Sequence, residues 1–235
     1  MSDRVHSTAF IGSGVELGRD VVIGPYVVLL GPLTVSDEVW IGPGAHLGGP
    51  PEIASFRHNE PWAGDLDHHE VRIGSRTRIR DGVTIHHGSW RPTVVGADCL
   101  LFSHCYLAHD VQVGDGVTLS AGVTVGGHAT IRDGANLGLN VMVHQWRSIG
   151  AGAMVGMGTA VTRDIPPFAT AYGVPPRVRK LNEFLLRKHG HSETTIDALR
   201  SRYAGQPADL PDEIEAELVW WEAVADRRPM AWTGG

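Results

Sequence analysis

Residues 95–161 read VGADCL LFSHCYLAHD VQVGDGVTLS AGVTVGGHAT IRDGANLGLN VMVHQWRSIG AGAMVGMGTA V. Every sixth residue (Val95, Leu101, Leu107, Val113, Leu119, Val125, Ile131, Leu137, Val143, Ile149, Val155, Val161) is β-branched or Leu. Six fits neither the 3.6-residue helix nor the two-residue alternation of an isolated strand, so the period belongs to a repeat. The position two before each aliphatic is usually small, as at Cys99, Cys105, Ala129, Ala135 and Ala153, and Gly follows the aliphatic at 96, 114, 126, 138, 150 and 156. Each hexad therefore reads as a short strand and a corner. Three hexads close one triangular coil, which predicts an all-β chain wound as a parallel β-helix.

Outward from this stretch, the same period runs from Val5 to Leu47, stops, and resumes at Ile73, Ile79 and Ile85 in a shifted register. A short break at Ser89–Thr93 precedes the long run. Residues 48–70 carry three Pro, three His and no hexad, and read as a loop ejected from one corner. The repeat ends at Asp164-Ile165-Pro166-Pro167, where paired prolines cannot continue a ladder. The predicted organisation is a β-helix over 1–176 with ejected loop 48–70, then an α-helical cap over 177–235. Helical spacing of Val178, Leu181, Leu185 and Leu186 starts the cap, Ser192–Tyr203 has an N-cap serine, and Pro211–Arg227 supplies a third helix.

Composition sets bounds. A formal net charge of −6 argues against a general nucleic-acid binder. No run of 18 apolar residues and no basic-apolar leader is present, so neither stable membrane insertion nor secretion is expected, and the predicted location is cytoplasmic. Cys99 and Cys105 fall in the small inward slot and read as inert buried thiols.

Residues three hexads apart stack in columns, about 4.8 Å between neighbouring coils. His109, Gly127 and Gln145 form one outward column, and Asp110, His128 and Trp146 run beside it. A histidine with an acidic neighbour and a glycine above it suits a general base. A set of solvated polar residues on a repeat surface would give the same spacing.

The words IRDGVTIHHG (79–88), LLFSHCYLAHDVQVG (100–114), VGGHATIRDGANLG (125–138), MVHQWRSIGAGAMVG (142–156) and VTRDIPPFATAYG (161–173) resemble the bacterial UDP-N-acetylglucosamine O-acyltransferases of lipid A synthesis. The resemblance covers nearly the whole chain. It implies a left-handed coil, a homotrimer with sites between neighbouring β-helices, an acyl carrier protein (or acyl-CoA) as donor and a nucleotide-linked sugar as acceptor, with no cofactor and no metal. By the same resemblance His109 is the general base with Asp110 behind it, and the Gly127 N–H polarises the thioester carbonyl. It makes His128, His144, Gln145 and Asn182 substrate contacts. Lys188 and His189 stand where paired arginines meet the diphosphate, and Met157 stands where an acyl-length ruler sits. The chain departs from the family at Asn59-Glu60-Pro61, where an Asp and a Lys are expected, at Tyr106, where a His is expected, and at Phe184, where a Glu is expected. All three touch the acceptor sugar rather than the thioester.

Three other readings stay open at this point. One is acyl-CoA-dependent N-acylation of an amino-sugar nucleotide. Another is a zinc carbonic anhydrase of the same fold using His86, His104 and His109. The third is a non-catalytic scaffold.

Overall fold

The structure is a computed structural model that describes residues 4–55 and 68–224. Three sheets, parallel except for one edge strand, form the faces of a prism. One has eight strands, from Phe10–Ile11 to Ala160–Val161, and one has seven, from Val15–Leu17 to Ser148–Ile149. The third has nine, from Val22–Ile23 to Arg177–Leu181. The chain visits the faces in turn, so each strand pairs with the strand one coil away. Leu107 is in register with Ile85 below and Val125 above, and Val125 with Val143. This is the predicted β-helix.

The breaks in the repeat are visible in the pairing. Within the long run each residue pairs with its equivalent three hexads on, as Tyr106 does with Thr124. Thr84 reaches beyond that spacing to Tyr106, because the chain bulges out between them at Ser89–Pro92. His46 reaches further still, to Thr84; the strand His46–Gly49 takes in the first two residues of the predicted loop, and residues 56–67 of that loop lie outside the described residues. The coil geometry on either side is unchanged.

Inward aliphatics fill the prism with one continuous core, in which Leu107, Leu119, Val125 and Leu137 are fully buried. Cys99 and Cys105 are free and buried in it, and burial pushes their thiols up to about 11 and about 12. Both are inert, as the sequence predicts. The corners turn through a left-handed residue three past each aliphatic: Asp98, His104, Asp110, Gly116, Gly122, His128, Gly134, Asn140, Trp146, Gly152 and Gly158 all have positive φ.

The cap departs from expectation at its start. Residues 177–181 are not helical. Arg177–Leu181 returns antiparallel along Ala169–Tyr172 and forms the edge of the nine-stranded sheet. Val178 and Leu181 face the interior while Arg177, Arg179 and Lys180 are exposed, and the turn at Val174-Pro175-Pro176 reverses the chain. The aliphatic spacing that suggests a helix is met by this strand followed by a helix. Three helices follow: α1 (Glu183–Lys188), α2 (Glu193–Tyr203) and α3 (Asp212–Val224). Ser192 caps α2 by accepting the Thr195 N–H at 3.1 Å. The first turn of α3 is acidic, as the macrodipole favours, and the predicted helix end at Arg227 lies outside the described residues. The cap has its own core of Leu181, Leu186, Ile196, Leu199, Ile214 and Leu218. Arg132 on the β-helix grips α3 by a two-pronged pair to Glu217 and lies 4.9 Å over the Trp220 ring.

Because neighbouring coils pack directly on one another, Leu119→Ala should cost about 2–5 kcal/mol. Urea denaturation checks this; a loss below about 1 kcal/mol would mean that the column does not carry the stability.

Candidate active site

The corner between the eight- and seven-stranded faces holds His109 and Asp110. Asp110 is completely buried and has φ of 63°, a conformation Asp tolerates better than most residues. The Ser89–Pro92 bulge from the coil below wraps around its carboxylate. Oδ1 accepts the backbone N–H groups of Ser89, Trp90 and Arg91 at 2.9, 2.8 and 2.9 Å. Oδ2 accepts the Ser89 hydroxyl at 2.5 Å and sits 2.6 Å from His109 Nδ1. Burial alone would raise the carboxyl's pKa, but the hydrogen bonds from Ser89, Arg91, His109 and Trp90 outweigh it and hold the group well below the ordinary carboxylate range.

An ionised carboxylate can only accept. The proton of the His109–Asp110 bond therefore lies on Nδ1, which leaves the Nε2 lone pair free for chemistry. The imidazole lies against Gly127, one coil up: a Cβ there would stand 2.6 Å from His109 Cε1 and 2.7 Å from Nε2. Glycine is needed at 127 for this close approach, not for an unusual φ.

His128 stands one coil above Asp110. Its ring is 5.0 Å from that of His109, edge to face, and is stacked on Trp146 at 3.8 Å and 8°. Burial lowers its pKa, and His109 and Arg91 push the same way against the opposing pull of Asp110. It is therefore neutral at pH 7. Arg91 ties the two coils together by donating to the carbonyls of Asp110 (2.9 Å) and His128 (3.3 Å).

His144 and Gln145 are exposed further up the same corner, where His144 Nδ1 donates to the Gln145 carbonyl at 3.0 Å. The remaining predicted residues lie elsewhere on the chain. Asn182, Lys188 and His189 line a separate cleft of about 910 Å³ between the cap and the corner carrying Gly116, Gly134 and Gly152. Asn182 also caps α1, accepting from Leu185 N, and donates to the Gly152 carbonyl at 2.8 Å. Met157 is 73% exposed on the third corner. One chain thus carries the predicted site in separate parts.

Arg177, Arg179, Lys180, Arg187 and Lys188 form the densest basic segment of the chain, and part of it is paired. Arg187 pairs with Glu183 at 3.0 Å and Glu193 at 2.7 Å, so the cationic side chains facing the cleft are Lys180 and Lys188. Among the departures, Tyr106 donates to Glu52 at 2.6 Å, and its ring lies 5.3 Å from His86, which ties the start of the ejected loop to the coil wall. Phe184 is 79% exposed at the rim of the cleft. Residues 59–64 lie outside the described residues.

Ligand atoms of His109, Asp110 and His128 lie within 4.8 Å of one another, as a metal site requires. The donor set does not fit one. Both Asp110 oxygens and His109 Nδ1 are already spent on one another and on the bulge. In the carbonic anhydrase set, His104 lies on another corner against Gly82, and His86 Nδ1 is bonded to the Pro50 carbonyl at 2.7 Å.

Sequence reasoning passes over Ser89, Trp90 and Arg91. The break in the hexad count at 89–93 is the signal that could have found them, since an interruption directly beneath the His109 coil has to be folded somewhere near it.

Residues 92–127 match the family described as bacterial transferase hexapeptide (six repeats). Residues 164–205 match the second domain of the UDP-N-acetylglucosamine O-acyltransferases. The acyl-[acyl-carrier-protein]–UDP-N-acetylglucosamine O-acyltransferase of Paraburkholderia phymatum is 35% identical over 221 residues, covering 85% of this chain and 81% of its own. The enzyme of that name from Herminiimonas arsenicoxydans is 33% identical over 214 residues, with the same coverage. LpxA from Acinetobacter baumannii superposes with a TM-score of 0.74 over 98% of this chain and all of its own, at 24% identity. The UDP-N-acetylglucosamine acyltransferase of Campylobacter jejuni superposes with a TM-score of 0.76 over 97% and 99%, at 23% identity. The likeness to the solved structures establishes the fold, and identity to curated enzymes over most of both chains establishes the rest: this chain belongs to the acyl-[acyl-carrier-protein]–UDP-N-acetylglucosamine O-acyltransferase family.

Proposed function

We propose that this chain moves an acyl group from an acyl carrier protein thioester to a hydroxyl of UDP-N-acetylglucosamine, with His109 as general base. The relatives' names supply the donor and acceptor. The observation that carries the mechanism is the Asp110 carboxylate, buried and fully hydrogen-bonded, holding His109 by Nδ1.

His109 Nε2 takes the proton of the sugar hydroxyl as its oxygen attacks the thioester carbon. The carbonyl oxygen gains the charge, and the Gly127 N–H, next to the imidazole and outside the backbone pairing of the described residues, donates to it. The tetrahedral adduct collapses by breaking the carbon–sulfur bond, and the imidazolium returns its proton to the departing thiolate. Asp110 stays ionised throughout and stabilises the imidazolium. His128, His144 and Gln145 contact substrate above the base.

The cap cleft holds the nucleotide: Lys180 and Lys188 face its diphosphate, with Asn182 and His189 alongside. Because cleft and His109 occupy different corners of one chain, a neighbouring copy has to bring its cleft to this corner. A homotrimer of β-helices closed about a threefold axis does so for all three sites at once.

Met157 limits the acyl chain. Leu139 stands one coil below it in the same column, and both are exposed, as is Met142 on the adjacent face. These apolar side chains give an acyl chain a surface, and Met157 closes its end. Each buried CH₂ is worth about 0.8 kcal/mol, so losing room for two to four of them shifts preference by one to two orders of magnitude or more.

Wild-type protein incubated with acyl carrier protein thioesters of graded length and UDP-N-acetylglucosamine should yield the acylated sugar nucleotide by mass spectrometry. No product with any donor would reject the assignment. His109→Ala should lower kcat by about 10²–10⁴ with the fold intact, and Asp110→Asn should do nearly as much by disturbing the tautomer. Retained turnover in His109→Ala would move the base elsewhere. Sedimentation should give a trimer, and a fully active monomer would reject the shared site.

Chain length provides a separate check. Wild type should prefer short to medium acyl groups, and Met157→Gly should extend the accepted length. An unchanged length profile would remove Met157 from the ruler role.

A further inference from the structure

Trp90 is left over from the mechanism. It sits on the bulge and is 67% exposed, yet its backbone is among the most firmly held near the site. Its own N–H and those of both neighbours converge on Asp110 Oδ1. The indole is therefore presented from a loop fastened to the same carboxylate that orients the base. Its ring centroid lies 6.3 Å from that of His128, which in turn lies 5.0 Å from that of His109. His128 thus stands between the indole and the base, in ring contact with both.

We propose that Trp90 is a specificity-determining platform for the acceptor, stacking its indole against the C–H face of the pyranose ring. This rests on the acyltransferase reading above and adds to it the group that recognises the sugar. The surroundings favour a sugar over an acyl chain. A largely exposed indole beside the His128 imidazole matches a ring with one apolar face and a polar rim. The exposed aliphatic side chains Leu139 and Met157 lie on a different corner, so the acyl chain has its own surface.

Steady-state kinetics and binding titrations on Trp90→Ala and Trp90→Phe test this, and neither substitution removes the backbone N–H that Asp110 needs. Trp90→Ala should raise KM for UDP-N-acetylglucosamine about tenfold, the effect of one aromatic contact. It should leave kcat and donor KM nearly unchanged, while Trp90→Phe retains most of the affinity. By titration, Trp90→Ala should weaken binding of UDP-N-acetylglucosamine but not of UDP. A rise in donor KM, equal weakening of both nucleotides, a weaker trimer by sedimentation, or no change at all would each overturn the platform. A wild type that binds the sugar nucleotide without acylating it would overturn only the reaction; one that does neither would overturn both.

Discussion

Inward side chains three hexads apart lie in register, Leu107 on Val125 on Val143 on Val161, and the rest of the molecule takes its position from that column. Each coil is too thin to bury its own aliphatics, so stability comes from stacking one coil on the next. The stacking also fixes the outside. A residue at one corner is followed at that corner by the residue three hexads later, one strand spacing higher, so sequence spacing becomes distance. His109 against Gly127 and His128 beside His109 are consequences of this repeat and need no further device to bring them together.

The repeat alone cannot orient an imidazole. Orientation comes from where the repeat is broken. Burying an ionised carboxylate costs several kcal/mol even after relaxation, and Asp110 is completely buried. Three backbone N–H groups, a serine hydroxyl and the His109 N–H surround it. Hydrogen bonds to a charged group each contribute about 1.5–3 kcal/mol, so five of them exceed the desolvation cost. The bulge supplies four of the five. A regular hexad at 89–92 would have kept the coil and lost the anion's cage.

These two contributions were unequally legible in the sequence. The aliphatic positions, the ejected loop, the capped second helix and the two stacked columns all follow from counting, because a repeat transmits its geometry through the sequence. The bulge does not repeat, and its residues show only as a gap in the count. The cap's first strand was hidden for another reason. Val178, Leu181, Leu185 and Leu186 match a helical face, but Arg177–Leu181 pairs with Ala169–Tyr172. That pairing depends on the hairpin turn at Pro175-Pro176, and tertiary pairing overrides local spacing. Of the ion pairs that occupy Arg187, the one to Glu183 is an i,i+4 pair within α1, whereas Glu193 belongs to a different helix and only the fold brings it near.

The left-handed corner residues join the fold to the site. Within the long run they are Asp98, Gly116, Gly134 and Gly152 on the corner beside the cap cleft, and His104, Gly122, Asn140 and Gly158 on the Met157 corner, while earlier coils place Tyr26, Glu38 and Arg76 at such positions. Most of these tolerate positive φ at little cost. On the His109 corner they are Asp110, His128 and Trp146, with φ of 63°, 61° and 63°. Positive φ strains a Trp by about 1–3 kcal/mol, and glycine would relieve it. Each of the three side chains acts from that position. Asp110 turns back into the bulge and holds His109. Trp146 lies flat against His128 at 3.8 Å and fixes its ring beside the base. The same left-handed position that turns the chain elsewhere here aims three successive side chains at one site, and so holds two imidazoles in place.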